Sequence, residues 1–241
     1  MPVTTTLTLF RYRGFSNTFW AFSQMGLAPR RMKNIPGMTF YKLLGTGSAG
    51  VSTWPDWSVY GLLQVWDTAE AMSAFFRTHP QMQAFQKRSE ESLRIFMHPV
   101  RSKGVWNGRN PFAPGHEIQA DTGVTAVLTR ATIKKRYLRR FWSYVPRSQQ
   151  PLAGAEGLIY SKGVGETPFI DMATFSLWES AEAMQAYAYG TEAHLGAIRR
   201  TRELGWYREE LFARFRAYRI EGSWAGIRGL DTLRENLRNR D

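Results

Sequence analysis

Of the four histidines in the chain, one has surroundings suited to chemistry. His79 and His98 each precede a proline at an expected element boundary, where an imidazole hydrogen-bonds a turn. His116 stands in Gly115-His116-Glu117, with no second histidine at metal-binding spacing. His194 falls in a helix predicted over Thr191 to Arg202, and Ala197 and Ile198 follow it by three and four positions. That spacing gives the imidazole an apolar helix face on which a flat apolar cofactor could rest. The residues alone leave His194 either a ligand or a hydrogen-bonded helix histidine.

Competing chemistries lack their residues. No histidine pair or histidine-carboxylate pair has HxH, HxxxH or HxxE spacing, which disfavours a two-histidine, one-carboxylate iron site. The GxSxG that a Ser-His-Asp hydrolase would want is absent. Gly45, Gly47 and Gly50 spell GxGxxG, but between two expected strands rather than at a strand-to-helix turn, so a dinucleotide site is not expected. With no cysteine, disulfides, zinc-cysteine clusters, iron–sulfur ligation and thiolate-ligated haem are excluded.

The elements that must position these residues are announced by a repeat. Trp66-Asp67-Thr68-Ala69-Glu70-Ala71-Met72 returns as Trp178-Glu179-Ser180-Ala181-Glu182-Ala183-Met184, 112 positions later. The same offset places Met82 where the second copy has His194. Thr6 to Arg11 alternates as a half-buried strand, Ser16 to Met25 reads as a helix ending near Gly26 and Pro29, and Thr39 to Leu44 and Val59 to Trp66 read as paired strands. Asp67 and Glu70 resemble a capping box; the helix restarts at Pro80 and runs to about Leu93, before a strand near Arg94 to Val100. The order βαββαβ is the split ferredoxin-like pattern. Val124 to Ile133, Phe141-Trp142, Leu158 to Ser161, Phe169 to Trp178 and Leu211 to Ile220 repeat it.

The expected fold class is therefore α+β, with two tandem ferredoxin-like repeats closing, by analogy, into a dimeric-α+β-barrel-like unit. The domain reading is a first repeat over 1–103, a Pro/Gly-rich connector over 104–120, a second repeat over 121–222 and a charged tail over 223–241 with no core role.

Composition is that of an ordinary globular chain: 241 residues, 43% hydrophobic and 22% charged. No apolar run reaches the ~18 residues needed to span a bilayer, and Met1 to Arg13 lacks a leader pattern, so the expected location is cytosolic. The net charge of +12 suits an anionic membrane face or a carboxylate-bearing ligand. No nucleic-acid-binding motif accompanies it.

Several stretches resemble the spheroidene monooxygenase (acyclic carotenoid 2-ketolase) family over most of the chain. They are Phe19-Trp20-Ala21-Phe22-Ser23-Gln24-Met25-Gly26, Phe40 to Gly47, Leu128 to Lys134, Gly163 to Phe169 and Thr174 to Trp178. The most specific are His194-x-x-Ala197-Ile198-Arg199 and Trp206 to Phe215. The resemblance implies a haem b monooxygenase with His194 as the iron ligand. Ala197, Ile198, Phe175 and Trp206 would line the cofactor, and Arg130, Arg214 or Lys42 would act as donor opposite it. It implies a hydrophobic substrate such as an acyclic carotenoid, an electron donor such as a ferredoxin, and peripheral contact with the inner membrane; it leaves self-association open. Haem peroxidase chemistry, aldoxime-dehydratase-like chemistry and non-catalytic haem binding stay as alternatives.

Overall fold

The computed structural model describes residues 3–47, 54–112, 123–143, 152, 154–190 and 204–238. Eight strands are described: β1 (Thr4–Arg11), β2 (Met38–Gly47), β3 (Pro55–Trp66), β4 (Glu91–Gly104), β5 (Thr125–Ile133), β6 (Leu158–Gly165), β7 (Asp171–Trp178) and β8 (Tyr207–Gly222). They close into an antiparallel barrel in the order β1-β3-β2-β6-β7-β5-β8-β4. The first four strands run β4-β1-β3-β2 and the last four β8-β5-β7-β6, the same order in each half.

Two seams join the halves. One is long, with β4 antiparallel to β8 from Leu93↔Gly222 to Gly104↔Leu211. The other is only Gly45↔Gly165 and Thr46↔Val164, between β2 and β6. Two ion pairs reinforce this short seam: Lys42 with Glu166, and Lys162 with Asp56 at 2.8 Å.

Side chains alternate across each strand, so every strand serves an interior and an outer face. Leu7, Leu63, Ile95, Leu128, Phe175 and Phe215 meet in the interior, each at most 2% exposed. The outer face of the first half is covered by α1 (Phe15–Arg31), α2 (Ala69–Thr78) and α3 (Pro80–Arg88). In the second half α4 (Leu138–Trp142) and α5 (Ala181–Gly190) are described. A last helix, α6 (Leu230–Arg238), follows β8.

The repeated phrase caps a helix in both halves, one residue later than expected. The Thr68 hydroxyl accepts from the Ala71 amide at 3.2 Å, and the Ser180 hydroxyl accepts from the Ala183 amide at 3.2 Å. A hydroxyl three residues before an otherwise unpaired amide is the standard cap. Other boundaries also move. Helix α1 runs through Pro29, because a proline there removes a single amide donor while Ala28 and Met32 beyond it are fully buried. Strand β4 takes in Leu93 at its start and extends to Gly104, since β1 and β8 offer it partners on both sides.

The tail, expected to have no core role, enters the core, and so does the connector. Trp106 and Phe112 of the connector are 1% and 0% exposed, and Trp224, Ile227 and Leu237 of the tail are 4–5% exposed. All five belong to the barrel cluster. Each plug follows a glycine that ends its strand by two residues, Gly104-Val105-Trp106 and Gly222-Ser223-Trp224. Both glycines have positive φ, +98° and +91°, and a Cβ at Gly104 would stand 2.1 Å from the Glu210 carbonyl oxygen. That oxygen already accepts from the Val105 amide at 2.8 Å. Gly104→Ala is expected to cost on the order of 2 kcal/mol through strain and clash at the long seam. Thermal denaturation should fall by roughly 4–8 °C.

Candidate functional site

The structure separates the residues expected to share one site. Arg130, Lys42 and Phe175 belong to the barrel interior, while Arg214 and Trp206 lie on the outer side of the second half. The register carries the distinction. Arg214 pairs with Val127, which packs outside against Trp178 and Met184, while its neighbours Ala213 and Phe215 are in the barrel cluster. Arg130 and Arg214 therefore face opposite sides of the sheet. Trp206 packs with Ile133 and Phe141 in an outer cluster. His194, Ala197 and Ile198 lie outside the described residues, as do Gly50 and His116. Among the described residues no three histidine or acidic side chains form a metal-binding group.

The interior cations are engaged in an ionic cluster below the Trp106 plug. Arg130, 3% exposed, donates Nη1 to Glu209 Oε2 at 2.8 Å and Nη2 to Asp171 Oδ1 at 3.1 Å, with Glu166 Oε2 at 3.8 Å. Lys42 pairs with Glu166, whose other oxygen accepts from Trp106 Nε1 at 2.7 Å. The Thr132 hydroxyl donates to Asp171 at 2.7 Å. Burial raises the Glu209 carboxyl, but Arg130 and the amides of Asn107 and Gly108 outweigh it, holding Glu209 below its ordinary value. Burial likewise raises Asp56, and Lys162 and Ser58 more than reverse it. Lys42 and Lys162 thus do the same work at the short seam, and the surroundings of Arg130 describe a structural cluster.

His79 and His98, the two histidines among the described residues, make structural contacts. His79 caps α3, accepting from the Gln81 amide at 3.3 Å, and stacks on Phe75 at 4.7 Å. Burial lowers its pKa. His98 lies within β4 rather than at a boundary, stacked on Tyr218 at 4.4 Å, with Nδ1 3.3 Å from the Val3 carbonyl.

The candidate site emerges from comparing the two outer sheet faces row by row. In the first half, one row across β2, β3, β1 and β4 reads Leu43, Leu62, Thr8, Arg94. Its counterpart across β6, β7, β5 and β8 reads Gly163, Thr174, Thr129, Phe212. The row beside it reads Tyr41, Gln64, Thr6, Phe96 in the first half and Ser161, Ser176, Val127, Arg214 in the second. On the other side Tyr60 and Phe10 become Met172 and Ala131. Leu43, Leu62, Tyr41 and Gln64 of β2 and β3 give way to Gly163, Thr174, Ser161 and Ser176 of β6 and β7, while β8 keeps the large Phe212 and Arg214.

In the first half these residues fill the space under the helices. Phe10, Leu62, Met82 and Phe85 are at most 4% exposed, and the void left among them is only about 10 Å³. In the second half Thr129 is exposed, and Ser161, Gly163 and Thr174 are half-buried. Among the described residues nothing lies within 4 Å of where a Gly163 Cβ would point. A floor of small residues results, bounded by the Ile133–Phe141–Trp206 cluster on one side and Val127–Trp178–Met184 on the other, with Arg214 beside it. Such a floor can accept a flat ligand with apolar edges and anionic groups. No periodicity within either half reveals it; the signal was available only by aligning the two halves strand by strand.

A closed eight-stranded antiparallel barrel with helices outside it defines an α+β barrel protein. Two solved structures of aldoxime dehydratase share the fold. The one in complex with butyraldoxime has TM-score 0.59 at 10% identity, covering 90% of this chain and 79% of its own, and the other has TM-score 0.56 at 12% identity, covering 90% and 81%. No family model matches the chain. Spheroidene monooxygenase of Rhodobacter capsulatus is 38% identical over 229 residues, 94% of either chain. That of Cereibacter sphaeroides is 33% identical, covering 92% of this chain and 69% of its own. The chain belongs to the spheroidene monooxygenase family, and is an oxidoreductase of the oxygenase class.

Proposed function

We propose that the chain is a haem-dependent monooxygenase that oxidises a long hydrophobic substrate, an acyclic carotenoid of the spheroidene type, on the outer face of its second half. The cleared floor carries this reading. Met82, buried in the first half between helix and sheet, supplies further support, because the equivalent position of the second copy is His194. A neutral imidazole at that position is the ligand expected of a cysteine-free chain. We also read the two halves as tandem ferredoxin-like repeats over 1–103 and 121–222, on the strength of their common strand order.

The residues present fit haem b. Gly163, Ser161, Thr174 and Thr129 leave room for a planar ring, and Arg214 offers a cation to its carboxylates. When bound, haem supplies iron for oxygen activation. The chain's own part is to hold and orient. Trp206, Phe141 and Ile133 exclude water at one end of the floor, and Val127, Trp178 and Met184 extend an apolar surface at the other, along which a polyene can lie. Arg214, on the floor's side of the sheet, is a better placed polar group than Arg130 or Lys42. Insertion of one atom of O2 with reduction of the other to water needs two electrons, for which a donor such as a ferredoxin is proposed.

The test is spectroscopic. Added haem should produce a Soret band in the wild type, and His194→Ala should change or lose it. Absence of the band in wild type, or an identical band in the variant, overturns the assignment. Conversion of an acyclic carotenoid, with an aldoxime and peroxide as rival substrates, checks the chemistry.

A further inference from the structure

The outward face of α1 is aromatic where a helix of a soluble protein normally carries charge. Phe15, Phe19 and Phe22, spaced i, i+4 and i+7, are 86%, 61% and 50% exposed. Phe15 stacks on Phe19 with centroids 6.1 Å apart, and Phe22 meets Trp57 of β3 edge-on at 5.5 Å. Trp57 is 53% exposed and Trp54, three residues before it, 74%. The opposite face of α1 is occupied, with Ala21, Gln24 and Ala28 buried. The aromatic stripe is therefore surplus to the helix's packing. An exposed cluster of this kind marks a contact surface.

Charge identifies the partner. The helix holds no acidic residue and ends in Arg30 and Arg31, with Lys33 just beyond, all three exposed. Arg13 precedes it with its side chain 83% exposed, pairing at 3.2 Å with Glu90. Asp56, beside Trp57, is neutralised by Lys162. The whole chain carries +12. A second copy of the same surface would bring these cations against their own kind. An anionic lipid surface would satisfy them, while Phe and Trp enter the boundary between headgroups and acyl chains.

We propose that α1 lies flat on an anionic bilayer, inserting Phe15, Phe19, Phe22 and Trp57 and placing Arg30, Arg31 and Lys33 among lipid phosphates. The proposal stands on this surface alone and is independent of haem binding. The experiment is flotation of the full chain with vesicles of equal parts phosphatidylglycerol and phosphatidylcholine, and with phosphatidylcholine alone. The chain should float with the anionic vesicles, less so at high salt. The triple variant Phe15→Ser/Phe19→Ser/Phe22→Ser should lose about tenfold or more in partitioning. Arg30→Glu/Lys33→Glu, which leaves every ring in place, should lose a similar amount on anionic vesicles. The wild type remaining unbound, or both variants floating as well as wild type, overturns the proposal. So does light scattering that shows a wild-type dimer dissolved by the triple variant without any vesicle binding. The haem spectrum, recorded on the same samples, is expected to be unchanged.

Discussion

Gly163→Leu, alone or with Ser161→Tyr, is expected to lower product formation by about a hundredfold or more, the penalty for displacing a reacting group by about an ångström or more. These substitutions install in the second half the residues that Leu43 and Tyr41 supply to the first. The fold should tolerate them. A Cβ at Gly163 meets no described residue within 4 Å, its φ is not in the left-handed region, and the barrel interior lies on the other side of the strand. The added leucine would occupy the centre of the floor, where Thr174 and Thr129 are its cross-strand neighbours. Haem titration and carotenoid turnover, measured beside a melting curve, separate loss of the site from loss of the fold. Retained turnover with retained stability would show that the outer face of the second half is not where the reaction occurs.

Arg130→Met should destabilise the protein strongly, with any loss of activity following from stability. Removing the guanidinium leaves Glu166, Asp171 and Glu209 facing one another with side chains only 18–24% exposed, and Lys42 as the remaining cation beside Glu166. Breaking a buried pair on one side costs on the order of 3 kcal/mol, or roughly 6–12 °C in thermal midpoint for a chain of this size. The pH dependence follows from Glu209. Its folded pKa is depressed in the wild type, so its contribution is present above the unfolded value of about 4.3 and is lost as pH falls through the folded value. In the variant the depression disappears and burial favours the protonated carboxyls. The gap in melting temperature between wild type and variant should therefore be widest near neutral pH and narrow toward about pH 4.5. A gap that does not change with pH would mean that lost packing against Trp106, over which Arg130 lies at 5.3 Å, outweighs the charge.

The element order, the repeated helix cap and the family were legible in the sequence because each rests on local patterns: strand alternation, a hydroxyl before a helix in both copies of one phrase, and matching runs of residues. The pairing of His194 with Met82 needed only the offset of that repeat. What lay on each side of a strand was harder. Arg130 and Arg214 sit on neighbouring strands of one sheet, and only the register Val127↔Arg214 shows that they point apart. The connector looked like turn chemistry because its glycines and prolines outnumber its tryptophan, and the tail like a charged surface segment, although it is Trp106 and Trp224 that enter the barrel.

The sequence by itself determined the kinds of element, the family and the exclusion of thiolate chemistry, since local periodicity, matching runs of residues and composition suffice for those. The tertiary structure decided which cations are spent on carboxylates, which chain segments plug the barrel, and that the outer face has small residues on β6 and β7 where its twin has large ones on β2 and β3. Those depend on cross-strand neighbours far apart in the chain: the row Gly163–Thr174–Thr129–Phe212 draws on four strands, and the smallness of Gly163 and Thr174 has meaning only when the barrel sets them against Leu43 and Leu62 of the other half.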